Sequence, residues 1–137
     1  MGLILDSSII VAAERRKDAP NQPLRNISAL AGDQNVAIST VGLTEFVHAI
    51  YRAPTVSIRV RREAFIEDLL AFIEVMPYTR STAFLAGRID GEQRAIGVTI
   101  PSMDLLIGAT ALEFGYSVVT ANVRHFNLIP GLAVIAL

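Results

Sequence analysis

Three carboxylates and one carboxamide stand at or near the starts of predicted helices, and three of these helices directly follow predicted strands. Asp6 ends an apolar run at residues 2–5, and Asn122 follows a later apolar run. Glu45 and Asp104 lie in the first turns of two predicted helices. Because ligands of open α/β sheets bind beyond the carboxyl ends of the strands, we expect these four side chains to share one pocket.

Three carboxylates in one pocket would repel each other, and a divalent cation is the simplest remedy. The candidate ligands are all oxygen, the chain has no cysteine, and His48 and His125 are not paired at metal spacing. This donor set selects Mg²⁺ or Mn²⁺ over zinc. Such ions orient water and offset charge on a phosphodiester during in-line displacement. The residues therefore predict a metal-dependent nuclease with Asp6, Glu45 and Asp104 as metal ligands.

Each of these residues also has an ordinary explanation. A helix N-terminus favours a negative side chain by about 0.3–1 kcal/mol, so a single acid there is unremarkable. Asp6 would then be a capping acid, Glu45 and Asp104 plain first-turn acids, and Asn122 only an N-cap. The nuclease hypothesis depends on the acids converging in space.

The elements that must position these residues alternate along the chain. Apolar runs predict strands at residues 2–5, 35–39, 74–77, 117–120 and 133–136, and helical periodicity predicts helices at 8–14, 24–31, 41–52, 55–73, 81–96, 101–114 and 123–126. This order indicates an α/β fold with a mostly parallel sheet and helices on both faces. Expected N-caps are Ser7 or Ser8, Ser39 or Thr40, Ser81 and Asn122.

Length and composition set further bounds. The 137 residues suit one domain over 1–137, and 52% of them are hydrophobic, which predicts a sheet covered on both faces and apolar surface hidden between subunits. The net charge of −1 excludes a general nucleic-acid binder. No apolar stretch approaches the roughly 20 residues of a membrane span, and we expect a cytoplasmic protein.

The basic residues are almost all arginine. Of the 12 Lys and Arg residues, Lys17 is the one lysine. Arginines cluster around Arg15 and Arg16 and again at residues 59–62, which suits either phosphate contacts or two solvated faces. A phosphoacceptor signalling domain would need a lysine beside its acids, and Lys17 falls in the loop after the first helix. The sequence therefore favours the nuclease over that alternative.

Four blocks of the sequence resemble PIN-domain proteins, most of all the VapC-type toxins of bacterial and archaeal toxin–antitoxin pairs. They are residues 5–8 (LDSS), 44–45 (TE), 100–112 (IPSMDLLIGATAL) and 119–126 (VTANVRHF), the last followed by 129–132 (IPGL). The blocks span the whole chain in the right order, and the third and fourth are the more specific.

The resemblance implies a three-layer α/β/α sandwich whose five-stranded parallel sheet has the order 3-2-1-4-5. It implies a Mg²⁺- or Mn²⁺-dependent endoribonuclease acting on structured RNA such as tRNA or rRNA. It also implies a homodimer, and a cognate antitoxin whose C-terminal segment wraps the toxin and obstructs its site.

The family's acids map onto Asp6, Glu45 and Asp104 in chain order. Asn122 stands where many members have a fourth acid, which favours one firmly bound ion and a second that arrives with the RNA phosphate. In this hypothesis Asp6 and Asp104 anchor the ion, directly or through water, and Glu45 orients or deprotonates the attacking water. Asn122 and Ser8 would fix the geometry of the pocket.

Hydroxyls and arginines complete the predicted site. Ser8 and Thr120 would orient the acids. Arg15, Arg16 or Arg124 would contact RNA phosphates. The alternative is a PIN-fold interaction module whose catalytic site has decayed through Asn122.

Overall fold

The computed structural model of the chain describes residues 1–17, 19 and 22–137, and for residues 23, 24 and 30 it describes the backbone alone. Within these ranges the chain forms five strands and seven helices. The strands are β1 (Gly2–Leu5), β2 (Asn35–Ser39), β3 (Glu74–Met76), β4 (Ser117–Thr120) and β5 (Val134–Ala136). The helices are α1 (Ser7–Arg15), α2 (Gln22–Ala31), α3 (Thr40–Tyr51), α4 (Val56–Leu70), α5 (Arg80–Ala95), α6 (Ser102–Phe114) and α7 (Val123–Phe126).

The strands form one parallel sheet in the order β3-β2-β1-β4-β5, which confirms the predicted fold. The central strand β1 is buried throughout, and Ile4 pairs with Ala37 on one side and Val118 on the other. Because all strands run the same way, their carboxyl ends meet at one edge of the sheet. The residues after β1, β2 and β4 therefore lie along that edge.

Two apolar cores cover the two faces of the sheet, as expected from the continuous apolar run of β1. Leu3 and Leu5 belong to the core under α1–α4, and Ile4 between them belongs to the core under α5–α7. This alternation follows from the strand period of two. The two largest fully buried side chains, Phe46 and Phe126, lie in different cores.

The start of α1 differs from the prediction. Asp6 itself occupies the N-cap position, and its side chain makes no capping bond. Ser7 and Ser8 lie inside the helix, and their hydroxyls bond to carboxylates instead. The prediction that Ser7 or Ser8 caps α1 was therefore wrong, because the helix begins at Ser7, one residue earlier than expected, and each hydroxyl donates to a different acid.

The three other predicted caps have different outcomes. Ser39 caps α3 through the backbone N–H of Gly42 at 2.9 Å, as predicted. The predicted cap at Ser81 was wrong, since Thr79 starts α5 and forms a capping box with Thr82. Asn122 occupies the N-cap position of α7, but its side chain makes no capping bond.

None of the helices in the described residues combines the length and hydropathy that a membrane crossing requires.

Candidate active site

Asp6 is the innermost residue of the site. It follows β1, is 1% exposed, and its backbone N–H donates to the carbonyl of Val119 on β4 at 2.9 Å. The hydroxyls of Ser8 and Thr120 donate to its Oδ2 at 2.7 and 2.8 Å. One oxygen of this buried acid is therefore fixed by two hydroxyl donors.

The two hydroxyls are themselves fixed by the chain after β4. The Ser8 hydroxyl accepts the backbone N–H of Ala121 at 3.2 Å, and the Thr120 hydroxyl accepts the backbone N–H of Asn122 at 2.8 Å. Each hydroxyl therefore donates to Asp6 and accepts from the backbone, which leaves it one arrangement. Ser8 and Thr120 thus lie where they were predicted to orient the first acid.

Glu45 reaches the same edge from α3. It is partly buried, and the Ser7 hydroxyl donates to its Oε1 at 2.8 Å. Burial raises the pKa of Glu45 above its ordinary value of 4.5, the Ser7 bond opposes that rise, and the charges of Asp6 and Asp104 add to it. Both other acids are therefore close enough to act on Glu45 electrostatically.

Asp104 reaches the edge from the first turn of α6. Its side chain is 13% exposed, and Oδ2 lies 2.8 Å from Nδ1 of His125 on α7. Burial raises the pKa of Asp104 above 3.8; the hydrogen bond from His125 lowers it, and the charge of Asp6 raises it. The predicted site thus comes together: Asp6, Glu45 and Asp104 face each other's charge across the end of the sheet.

The acids are too far apart for all three to bind one ion directly. Among the residues that the structure describes, no three His, Asp or Glu side chains form a group that could hold one metal ion. An ion at this edge would therefore take part of its ligands from water. Mg²⁺ suits such a site, because it keeps several waters and is usually bound by one or two carboxylates. The oxygen donors and the raised pKa values of Glu45 and Asp104 fit a hard divalent cation.

The predicted RNA-contacting arginines are separated. Arg124 lies on α7 beside the site, in the wall of a hollow of about 340 Å³ lined by residues 121–125. Arg15 and Arg16 lie at the far end of α1, about 14–15 Å from Asp6 at the helix rise of ~1.5 Å per residue. Lys17 follows them. The lysine that a phosphoacceptor domain would need is therefore at the wrong end of this helix.

Sequence reasoning missed two contacts of the site. It gave no role to His125 and treated Ser7 only as a helix cap. The available signal for His125 was its place in the helical turn that begins at Asn122, directly after a strand whose end carries the site. For Ser7 the signal was its position one residue after the first acid.

Comparison with known proteins gives the family of this chain. Residues 3–131 match the model of the PIN-domain family. Ribonuclease VapC1 of Rickettsia felis is 35% identical over 135 residues, which are 98% of this chain and 96% of the relative. The tRNA(fMet)-specific endonuclease VapC of Salmonella typhimurium is 31% identical over 99 residues, which are 72% and 73% of the two chains.

Solved structures show the same fold. A chain of VapBC2 from Rickettsia felis, bound to a promoter DNA fragment, superposes with a TM-score of 0.87 at 24% identity and covers 100% of this chain and 99% of that one. VapBC-5 of Mycobacterium tuberculosis, a member of the VapBC family of toxin–antitoxin systems, superposes with a TM-score of 0.75 at 26% identity over 100% of both chains.

The chain therefore belongs to the PIN-domain family, and its similarity to VapC proteins over nearly its whole length places it in the VapC group of that family.

Proposed function

We propose that this protein is a Mg²⁺- or Mn²⁺-dependent endoribonuclease, the toxin of a toxin–antitoxin pair, which hydrolyses phosphodiester bonds in structured RNA such as tRNA or rRNA. The observation that carries the proposal is the convergence of Asp6, Glu45 and Asp104 at one sheet edge, where each raised pKa includes the charge of a neighbouring acid. The relatives named as a ribonuclease and as a tRNA(fMet)-specific endonuclease support RNA as the substrate.

Asp6 and Asp104 would hold the cation. Each has one oxygen fixed, Asp6 by two hydroxyls and Asp104 by His125, and each keeps a second oxygen for an ion or its water. When bound, the ion supplies positive charge that offsets the charge developing on the phosphodiester during in-line displacement. Asn122 brings no charge, so a single firmly held ion fits this chain.

Glu45 is suited to take a proton from the attacking water. Ser7 holds Oε1, and Oε2 is the oxygen that would receive the proton. A carboxylate whose pKa is raised toward neutrality is a better general base than an ordinary surface glutamate. The water oxygen then forms the new bond to phosphorus, and the bond from phosphorus to the leaving nucleoside oxygen breaks. Arg124 would contact an RNA phosphate nearby.

Two protein partners belong to the proposal. A cognate antitoxin is supported by the toxin–antitoxin neighbour at 26% identity. A homodimer is supported by large apolar side chains left at the surface, Tyr51, Val56, Val60 and Phe72 at 55–68% exposure. Sedimentation equilibrium of the purified protein tests the dimer.

Cleavage of total RNA in Mn²⁺ tests the activity. Asp6→Asn and Asp104→Asn should each be inactive at any Mn²⁺ concentration, while Asp68→Asn on the exposed side of α4 should match the wild type. Activity of either variant at the wild-type level would refute the assignment. Calorimetric titration with Mn²⁺ separates the alternative, because a decayed interaction module would show no binding that depends on Asp104.

A further inference from the structure

The imidazole of His125 lies against the third acid. An ionised carboxylate has no proton to donate, so the 2.8 Å contact is an Nδ1–H of His125 donating to Oδ2 of Asp104. The bond joins α7 to α6 across 21 residues of sequence. It fixes one oxygen of Asp104 in the way that two hydroxyls fix one oxygen of Asp6.

The backbone that carries the His125 ring is well fixed. Its backbone N–H donates to the carbonyl of Asn122 at 3.1 Å, and the next residue, Phe126, is completely buried in the core. The same segment begins with Thr120, whose hydroxyl donates to Asp6. Residues 120–125 therefore hold one carboxylate at each end, which fixes the two proposed cation-binding acids relative to each other.

Asp104 needs such a restraint. It is mostly buried and lies within the electrostatic reach of Asp6. Without a donor, rotation of the side chain toward water and away from the like charge would lower its free energy. The carboxylate would then have to be reordered each time a cation binds.

We propose that His125 is a positioning residue for Asp104, and that its hydrogen bond sets the affinity of the site for a divalent cation. This inference rests on the proposed function. Replacing a partner that orients a metal ligand typically costs 10–100-fold in metal affinity or activity.

Mn²⁺ binding measured by calorimetry on the purified full-length chain tests the proposal. His125→Ala should weaken the affinity by about 10–100-fold, whereas His125→Asn, whose amide can place an N–H near the Nδ1 position, should stay within about threefold of the wild type. His48→Ala, at an exposed position of α3, is the matched control and should leave the affinity unchanged. Cleavage kinetics give a second measurement: saturating Mn²⁺ should restore most of the kcat of His125→Ala.

The outcomes separate the two proposals. If the wild type binds no Mn²⁺, the proposed metal dependence fails. If the wild type binds and His125→Ala binds equally well, the positioning role is refuted. If His125→Asn loses as much affinity as His125→Ala, the hydrogen bond is not the cause. Thermal melting of each variant checks folding, and His125→Leu, which keeps the bulk and lacks the donor, replaces His125→Ala should that variant not fold.

Discussion

Glu14 is buried at 2% exposure and forms an ion pair with Arg61, whose Nη2 lies 2.9 Å from Glu14 Oε1. Arg62 reaches the other oxygen at 3.4 Å and donates to the carbonyl of Ala49 at 2.8 Å. Glu14 thus joins α1 to α4, and Arg62 joins α4 to α3 through the Ala49 carbonyl. Two arginines of the second basic cluster therefore serve the fold, although their sequence suggested either a solvated face or phosphate contacts.

We predict that Glu14→Ala lowers the free energy of unfolding by about 2–3 kcal/mol. Removing one partner of a buried pair costs about 3–5 kcal/mol, and the cost is smaller here because Arg61 remains 43% exposed and can be rehydrated. Glu63→Ala, in the exposed pair of Glu63 with Arg59, should cost less than about 1 kcal/mol. Urea unfolding measures the free energy of unfolding of both variants. Equal losses would mean that burying Glu14 does not strengthen its ion pairs.

A second prediction concerns stability without metal. The folded pKa values of Glu45 and Asp104 lie above their ordinary values of 4.5 and 3.8. In the pH range between the ordinary and the folded pKa of each acid, the folded state therefore binds more protons than the unfolded state. Their contribution to stability is therefore fully present at lower pH and is lost as pH rises through the folded pKa values. In EDTA at pH 7, Glu45→Gln and Asp104→Asn should each raise stability, by about 0.5–1 kcal/mol because both acids stay partly solvated.

Thermal melts in EDTA and in Mn²⁺ check this second prediction. Mn²⁺ should stabilise the wild type and leave Asp104→Asn nearly unchanged, since ligand binding stabilises only the form that binds it. Destabilisation of both amide variants in EDTA would show that the acids do not strain the metal-free fold.

The positions of Asp6 and Glu45 were predictable because a parallel sheet brings the carboxyl ends of its strands to one edge. Asp104 lies on a helix that follows another helix, so this rule does not place it. The sequence marks those ends clearly, as at Asp6 after a run of buried residues. The contacts of Ser7 with Glu45 and of His125 with Asp104 were not predictable. They depend on how α3, α6 and α7 are rotated against the sheet, which local periodicity does not determine.

The helix N-caps also show which features the sequence predicts and which depend on three-dimensional contacts. The sequence left Ser39 or Thr40 as the cap of α3; Ser39 is the cap, and the Thr40 hydroxyl accepts the backbone N–H of Tyr78 instead. Ser81 was predicted as the cap of α5, but the capping box of Thr79 with Thr82 starts the helix two residues earlier.

Thr120 provides a third prediction. Thr120→Val removes the donor to Asp6 and the acceptor for the Asn122 N–H, both buried or partly buried. We expect about 1–3 kcal/mol of destabilisation from the unpaired groups. Mn²⁺ affinity should also fall, by about tenfold or more.

The control for Thr120 is Thr110, another fully buried threonine, whose hydroxyl donates to the carbonyl of Leu106. Thr110→Val should lose some stability and no Mn²⁺ affinity. Thr120→Ser, which keeps the hydroxyl, should bind Mn²⁺ nearly as well as the wild type. If Thr110→Val and Thr120→Val lose the same Mn²⁺ affinity, the loss reflects general loosening of the fold.

The last prediction orders the arginines by their distance from the acids. RNA binding is measured with the Asp104→Asn background, which prevents cleavage, over a series of salt concentrations. Arg124→Ala should weaken binding and reduce the salt slope by about 1, because it removes a phosphate contact beside the site. The Arg15→Ala, Arg16→Ala double variant should also weaken binding, but less, because these residues lie a helix length from Asp6. A larger effect of the double variant would show that the RNA crosses the far end of α1. No effect of that variant would assign both residues to the solvated face.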